Sequence, residues 1–345
     1  SVAALLMKEQ GCDCIGATMR LYAGQTAAPD GSKTCCSLDD VEDARAVARR
    51  LEIPHYVFNF TDDFYREVVD KFVDTYYTGG TPNPCIDCNR FLKFGKLLQR
   101  ARELGCDCVV SGHYARVEQD PDTGRYLLKR AADTAKDQTY FLWMLTEDNL
   151  RRTIFPLGGL TKTEVRQIAF NHGFEKLSKK TESQEICFVP NNDYRTFLAE
   201  QGVQVELGQY IDNQGNVLGT HQGFCHYTIG QRKGLGIALG SPKYVTAIDA
   251  ATNRVTLGKH DDLYATHVAA SEARLRDTAW LQSSPDVQAR IRYKSPAVNA
   301  LLDLTDYPSS HHISVDFRSP VWGVTPGQSL VLYKDNLLIG GGIIC

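Results

Sequence analysis

The segment Arg102-Glu103-Leu104-Gly105-Cys106-Asp107-Cys108-Val109 predicts a helix that ends at a glycine and a buried strand that follows it. The segment Lys8-Glu9-Gln10-Gly11-Cys12-Asp13-Cys14-Ile15 repeats this pattern near the start of the chain. Helices that alternate with apolar strands are typical of βαβ units, whose strands form a parallel sheet. We therefore expect an α/β fold in the first half, with the four cysteines of these segments packed in its interior.

The neighbouring segments continue this alternation. Apolar spacing predicts helices at 38–51, 62–76 and 91–104, and strands at 12–17 and 55–60. From about Glu147 to Gln201 the pattern is mostly helical. After Val203 short alternating runs are separated by turn residues, which predicts an antiparallel barrel or sandwich in the last third of the chain.

Composition narrows the class of protein. The 345 residues are 43% hydrophobic and 23% charged, close to the average for globular proteins, and suggest two to three domains. No secretory leader or run of about 20 apolar residues is present, so we expect a cytoplasmic protein with no membrane contact. The net charge of -3 argues against a general polyanion-binding surface, so any contact with nucleic acid would come from local basic patches.

The chain has eleven cysteines, an odd number, which argues against a disulfide framework. The remaining interpretations are reduced thiols, thiol chemistry or a metal site.

The clearest chemical motif is Thr81-Pro82-Asn83-Pro84-Cys85-Ile86-Asp87-Cys88-Asn89-Arg90. We expect its two cysteines on a short loop before the helix at Phe91, where helix N–H groups favour a reactive thiolate. Half of a structural zinc site is the alternative, but the chain has no second C-x-x-C motif to complete four ligands. Cys187 lies in a polar segment, which suits an exposed thiol, although a lone cysteine is more often buried.

Three further clusters have both functional and structural interpretations. Ser111-Gly112-His113-Tyr114 follows a predicted strand, at the sheet edge where open α/β folds bind ligands, but its histidine could equally be structural. The segment 136–141 combines charged, amide and aromatic side chains. This combination is typical of an RNA-contacting loop, but a solvated turn before a helix would look the same. Gly230-Gln231-Arg232-Lys233-Gly234-Leu235-Gly236 fits a phosphate contact or a simple hairpin turn.

Together these segments resemble the bacterial tRNA-uridine 2-sulfurtransferases, also called tRNA-specific 2-thiouridylases. The resemblance extends over the whole chain and includes TPNPC-I-D-CN, SGHYARV, KDQTYFL, ESQEICF, HYTIGQRKGLGI, TPGQ and the terminal GGGII. It implies a parallel-sheet ATP pyrophosphatase domain of the adenine-nucleotide α-hydrolase type with a helical extension over residues 1–201. A small central domain over 202–265 and a C-terminal antiparallel β-barrel over 266–345 would follow.

The resemblance also implies the reaction, which is ATP-dependent 2-thiolation of a tRNA wobble uridine with ATP and Mg²⁺. ATP would adenylate the C2 oxygen and sulfur would displace AMP. Cys187 matches the cysteine that carries a persulfide, and Cys88 matches the cysteine that resolves it through a transient disulfide. A sulfur-donor protein and tRNA are the implied partners.

The remaining site residues come from the same resemblance. Met19 and Gly112 match positions at the nucleotide, and His113 and Gln328 match positions that line the site. The positions that match contacts to the target base or to tRNA are Asn83, Pro84, Cys85, Lys136, Asp137, Gln138, Arg292 and Tyr293.

Two features depart from the family pattern. Relatives begin with a strand and a phosphate-binding loop of the form SGGVDSS, and this sequence begins at what matches its last serine, Ser1, so we expect the chain as given to be inactive. Cys85 stands where many relatives have aspartate. Three thiolates from Cys85, Cys88 and Cys187 would allow an iron-sulfur cluster to carry the sulfur instead of a persulfide. A non-catalytic tRNA-binding protein is the third hypothesis.

Overall fold

The computed structural model describes residues 1–22, 38–174, 186–204, 206–307 and 309–345. These residues form two compact units, which differ in architecture. The first unit contains Ser1–Val69, Pro84–Asp193 and Asn336–Leu338. The second unit contains Asp70–Asn83, Tyr194–Asp335 and Ile339–Cys345.

The helices follow the apolar spacing of the sequence. Their bounds are α1 Val2–Glu9, α2 Leu38–Arg50, α3 Thr61–Phe64, α4 Asp70–Tyr77, α5 Pro84–Asp87, α6 Leu97–Glu103, α7 Glu147–Arg151, α8 Lys162–Asn171, α9 Tyr194–Glu200 and α10 Thr278–Ser283. Wider π-helical turns occupy Tyr65–Val69 and Cys88–Lys96. Thr161 and Glu164 form a reciprocal capping box at the start of α8, which fixes where that helix begins.

The strands are shorter in the first half of the chain than in the second. Their bounds are β1 Gly16–Arg20, β2 His55–Asn59, β3 Val109–Val110, β4 Ala115–Gln119, β5 Tyr126–Arg130, β6 Thr153–Ile154, β7 Gly208–Ile211, β8 Val217–His221, β9 Tyr244–Asp249, β10 Arg254–Gly258, β11 Tyr264–Leu275, β12 Asp286–Arg290, β13 Val298–Asp303, β14 Ile313–Trp322, β15 Ser329–Lys334 and β16 Leu337–Ile344.

The first unit has the predicted parallel pairing. Strand β1 pairs with β2, with Gly16 opposite His55, and β3 pairs with β6, with Val109 opposite Thr153. Apolar faces of α1 and α8 pack with the loops after these strands into one core. That core contains Val2, Ala3, Leu5, Leu51, Tyr114, Ala131, Leu157, Val165, Ala169 and Phe174.

The predicted burial of the two Cys-Asp-Cys segments is wrong. Cys12 is exposed, and Cys14, Cys106 and Cys108 are only partly buried. Each segment comes before its paired strand, because β1 begins at Gly16 rather than at residue 12 and β3 begins at Val109. Unpaired backbone ahead of a strand stays at the surface, where water can satisfy its polar groups.

The second unit is built from two β structures, as the last third of the sequence predicts. A four-stranded sheet has the order β8-β7-β10-β9, with β7 and β10 parallel and the other neighbours antiparallel. The strands β11, β14, β13, β12, β15 and β16 form a closed antiparallel barrel, in which β16 pairs back onto β11. The α/β fold with a C-terminal antiparallel barrel is therefore confirmed. Within the described residues, no helix is both long and apolar enough to cross a membrane.

Candidate functional site

The C-x-x-C motif lies inside a helix, not on the loop that the sequence predicts before Phe91. Helix α5 starts at Pro84, and Cys88 opens the π-helical stretch that continues it. Proline is favoured in the first turn of a helix because its fixed φ suits the helix and its missing N–H has no partner there. Cys85 is exposed and Cys88 is partly buried.

The π-helical turn has a visible cause at Gly95. A Cβ at this position would lie 2.9 Å from the carbonyl oxygen of Arg90, five residues earlier. The wide turn therefore needs a residue without a side chain, and π-turns inside helices occur often at functional sites. Cys88 is the first residue of this unusual turn.

Residues just after Cys88 attach the motif to the KDQTYFL segment. The side-chain amide of Asn89, which is buried, donates to the carbonyl of Phe141 at 3.0 Å. The Arg90 guanidinium contacts the sulfur of Met144 at 3.5 Å. The sequence pattern does not single out Asn89, because its burial and its bond to Phe141 arise from packing between distant segments. These contacts hold two motifs together that lie far apart in sequence.

His113 lies in an aromatic pocket of the first unit. Its ring centroid is 5.8 Å from that of Phe94 and 5.7 Å from that of Phe155. Its Nδ1 is 2.8 Å from the Ser111 hydroxyl. Burial lowers the pKa of His113 well below its usual range, and the charge of Lys93 lowers it further. The ring is therefore neutral near pH 7, which suits positioning or hydrogen bonding and not a fixed positive charge.

The Lys136-Asp137-Gln138 segment is bonded to the SGHY segment. Gln138 accepts from the Tyr114 N–H at 3.0 Å through its side chain and donates its own N–H to the Tyr114 carbonyl at 2.9 Å. Asp137 is buried and accepts from the Thr139 hydroxyl and from the N–H of Ala131. Its carboxylate thus shapes the turn from inside, while the Lys136 side chain is partly exposed.

Cys187 is partly buried, and its neighbour Phe188 anchors it. Phe188 is almost fully buried and packs edge-on against Phe64 of α3, with ring centroids 5.5 Å apart. In the same helix, Asp63 pairs at 3.2 Å with Lys96, at the end of the π-helical stretch that Cys88 opens. Helix α3 therefore contacts both thiol-bearing segments. Residues 175–185, which include the lysine-rich stretch from Lys176 to Lys180 and the first four residues of ESQEICF, lie outside the described residues.

Met19 and Gly112 lie near the carboxyl ends of parallel strands. Met19 is the fourth residue of β1, and its neighbour across the pair is Phe58. Gly112 follows β3 and is exposed, and a Cβ there would come no closer than 3.5 Å, to Leu157. A ligand can therefore approach the bare backbone at this edge, where α/β folds bind nucleotides.

Gln328 belongs to the second unit and is bonded to the start of the TPNPC segment. Its side-chain amide donates to the carbonyls of Thr81 at 3.0 Å and Pro82 at 3.2 Å. The N–H of Thr81 donates in return to the Pro326 carbonyl at 2.8 Å. The TPGQ loop thus holds the backbone that leads into Asn83, which is partly exposed.

Arg292 and Tyr293 are both partly exposed, close to the end of β12. The Arg292 guanidinium donates to the Gly323 carbonyl and, at 3.3 Å, to the Thr325 hydroxyl. It also lies over the Trp322 ring, 5.5 Å from the centroid. Arg292 thus supports the loop before TPGQ with part of its surface still open.

Across the described ranges, no three His, Cys, Asp or Glu side chains are placed to share a metal ion. Cys85, Cys88 and Cys187 are thus not placed to share one metal ion in the described arrangement.

Comparisons with known proteins agree with this architecture. Family profiles match residues 1–191 as "tRNA methyl transferase HUP domain", 195–259 as "tRNA methyl transferase PRC-barrel domain" and 270–344 as "Aminomethyltransferase beta-barrel domain". The central PRC-barrel match corresponds to the four-stranded sheet, and the last match corresponds to the closed barrel.

Curated relatives give a sharper description. The "tRNA-specific 2-thiouridylase MnmA" of Heliobacterium modesticaldum is 46% identical over 348 residues, covering 100% of this chain and 89% of the relative. The protein of the same name from Geotalea uraniireducens is 47% identical over 353 residues, covering 100% and 91%. That from Moorella thermoacetica is 46% identical over 346 residues, covering 100% and 96%. The chain belongs to the tRNA-specific 2-thiouridylase family.

Proposed function

We propose that the protein catalyses ATP-dependent 2-thiolation of a wobble uridine in tRNA. The names of its relatives support tRNA thiolation, and the HUP domain match supports the use of ATP. The proposal rests on one structural observation: α3 contacts both the segment of Cys187 and the helix of Cys88. Two thiols that share a neighbour in one compact unit can act in one reaction.

The chemistry explains why two thiols are useful. The C2 carbonyl of uridine has no leaving group, and ATP supplies an adenylyl group that converts its oxygen into one. In the proposed route, the terminal sulfur of a persulfide on Cys187 attacks C2, and AMP leaves. The Cys88 thiolate then attacks the inner sulfur of Cys187, which releases thiouridine and leaves a Cys88–Cys187 disulfide. An external dithiol reduces this disulfide before the next turnover.

The partly exposed position of Cys187 suits loading from outside. A donor protein must bring a persulfide to within bonding distance of its sulfur, and a fully buried thiol would prevent this. We therefore propose a persulfide-bearing sulfur-donor protein as a partner, in addition to tRNA. Asn83, Pro84 and Cys85 would contact the target base, and Lys136, Gln138, Arg292 and Tyr293 would contact the tRNA backbone.

We propose a role other than direct contact with tRNA for two predicted site residues that are buried. Asp137 is buried, so we propose that it positions Lys136 and Gln138 through the turn that it stabilises. His113 is buried and neutral, so we propose that it lines the site next to the nucleotide edge at Gly112. Met19 and Gly112 would contact ATP, which binds with Mg²⁺.

A cluster-dependent route is the second candidate, because Cys85 is an exposed thiol only three positions before Cys88. It requires all three thiolates to converge, whereas the persulfide route requires only Cys88 and Cys187. A non-catalytic tRNA-binding protein is the third candidate.

The proposed function is tested by deleting the gene in its host and analysing the nucleosides of bulk tRNA by mass spectrometry. Loss of 2-thiouridine derivatives, with recovery when the gene is returned, is the expected result. Unchanged thiouridine in the deletion strain would contradict the proposal. Recovery by a variant without Cys88 and Cys187 would contradict the thiol mechanism alone.

A further inference from the structure

The glycine-rich motif Gly230-Gln231-Arg232-Lys233-Gly234-Leu235-Gly236 has no part in the function proposed above. This motif lies in a long loop of the second unit, which connects the 3₁₀ turn at Phe224–His226 to β9. We call residues 230–243 the basic loop. The loop borders a cavity of about 400 Å³, which is in the size range of small-ligand sites.

The basic loop is held in a defined shape. The Tyr210 hydroxyl, on a fully buried side chain, donates to the Leu235 carbonyl at 2.6 Å. The Gln231 side chain accepts from the Thr228 N–H at 3.1 Å and donates to the Lys233 carbonyl at 3.0 Å. A ligand at this loop would therefore meet a prearranged surface, which lowers the entropy cost of binding.

Two cations face the cavity. Arg232 and Lys243 both line it, and Lys233 is exposed beside Arg232. Within the described ranges, none of the three forms a salt bridge within 4.0 Å, although Lys243 acts electrostatically on Asp212 and Asp262. Their charges therefore remain available to an anionic ligand.

The backbone of the loop supplies further donors. Across the described chain, no N–H of residues 232–241 donates a hydrogen bond to another residue. Gly234 and Gly236 have φ values of +72° and +68°, and nothing lies within 4 Å of the Cβ position at Gly236. Successive peptide N–H groups in such turns form anion-binding concavities when no side chain covers them.

We propose that this cavity binds a phosphodiester group of the tRNA backbone through Arg232, Lys243 and the uncovered peptide N–H groups. The inference rests on the proposed function, because it assumes that tRNA is the substrate. A phosphate is the favoured ligand because the site combines a forked guanidinium, an ammonium and backbone donors with no carboxylate in its lining. The contact would lie in the central β sheet region, separate from the thiol-bearing unit in sequence.

The test compares the double variant Arg232→Gln/Lys243→Gln with wild type in tRNA binding from 50 to 300 mM salt. The matched control is Arg45→Gln/Arg100→Gln, which removes the same charge from exposed arginines that are paired along their own helices. We expect the loop variant to lose about tenfold in affinity and the slope of log K against log salt to fall by about 1 to 2. The control should bind like wild type, and Arg232→Lys should keep most of the affinity.

Each contrary outcome has one meaning. If wild type binds tRNA and the loop variant binds equally well with the same slope, the phosphate site is wrong and the proposed function stands. If wild type does not bind tRNA, both are wrong. If the loop variant loses affinity for ATP in calorimetry and none for tRNA, the cavity serves a free nucleotide and the inference is overturned. An unchanged unfolding midpoint shows that the variant is folded, as expected for one exposed and one partly exposed side chain.

Discussion

The side-chain amide of Gln328 donates a 3.0 Å hydrogen bond to the carbonyl of Thr81, which lies 247 residues earlier in the chain. A second bond, to Pro82, fixes the same backbone. Both acceptors immediately precede Asn83, Pro84 and Cys85, the residues proposed to contact the target base. The barrel loop thus fixes the backbone that directly precedes Asn83.

Gln328→Ala should lower activity more than stability. We expect a loss of about 1 kcal/mol in the free energy of unfolding, typical of a lost hydrogen bond, because the two acceptor residues are only partly buried and their carbonyls can regain water partners. Thiolation should fall about tenfold, since small displacements of positioning groups are costly. Urea unfolding and thiouridine analysis measure the two effects. Gln214→Ala, on an exposed turn, is the control and should change neither.

Cys88→Ser and Cys187→Ser should each abolish thiouridine formation, because serine can neither carry a persulfide nor resolve one. Each variant is expressed from the natural gene in a deletion strain, and tRNA nucleosides are measured by mass spectrometry. The exposed Cys345 provides the control, Cys345→Ser, which should restore normal levels. A normal level of thiouridine in tRNA from either variant, Cys88→Ser or Cys187→Ser, would contradict the two-thiol mechanism.

Cys85→Asp separates the persulfide route from the cluster route. The exposed position of Cys85 accepts a carboxylate without burial cost, so the variant should fold normally. Under the persulfide route it keeps full activity. Anaerobically purified wild type that contains about four irons per chain, with both iron and activity lost in Cys85→Asp, would establish the cluster route instead.

Lys136→Gln should weaken tRNA binding several-fold and reduce its salt slope by about 1, because it removes one phosphate partner. Arg292→Ala should weaken binding as well, with some loss of stability, since Arg292 also supports the Gly323 and Thr325 backbone. His113→Gln should leave tRNA binding unchanged, because the ring is buried. Equal losses in all three variants, measured by fluorescence anisotropy, would show that the RNA surface is misplaced.

His113 should also make stability depend on pH. Its pKa is lowered by burial, so the unfolded state takes up a proton below about pH 6.5 that the folded state excludes. The contribution of His113 to the free energy of unfolding is complete above that pH. It is lost as the pH falls, by at most about 1.4 kcal/mol per pH unit. Urea unfolding at pH 7.5, 6.5 and 5.5 should show a shallower decline in His113→Gln than in wild type. Parallel declines would mean that His113 is protonated in the folded protein.

The sequence by itself determined the class of fold and the residues of chemical interest. Apolar spacing and glycine stops predict parallel strands in the first half of the chain, and β1 and β2 pair in this way, because local periodicity decides which face of each element is buried. The short strand β6, which pairs with β3, lies in a stretch that the sequence pattern predicts to be mostly helical. Alternation after Val203 predicts the strands of the barrel for the same reason. The motif around Cys85 and Cys88 is recognisable without coordinates, since a C-x-x-C spacing defines a local pair of thiols.

Only the tertiary structure decided which of these segments meet. Asn89 bonds to Phe141 and Gln138 to Tyr114 through contacts between distant segments, and no local pattern encodes such pairs. The same limit explains why the prediction that Cys12 is buried is wrong. A strand begins where a partner strand offers hydrogen bonds, and not where apolar residues begin. The burial of Asp137 and His113 likewise depends on the surrounding packing. It places a carboxylate and a neutral ring in the interior, although the residue types alone predict positions at the surface.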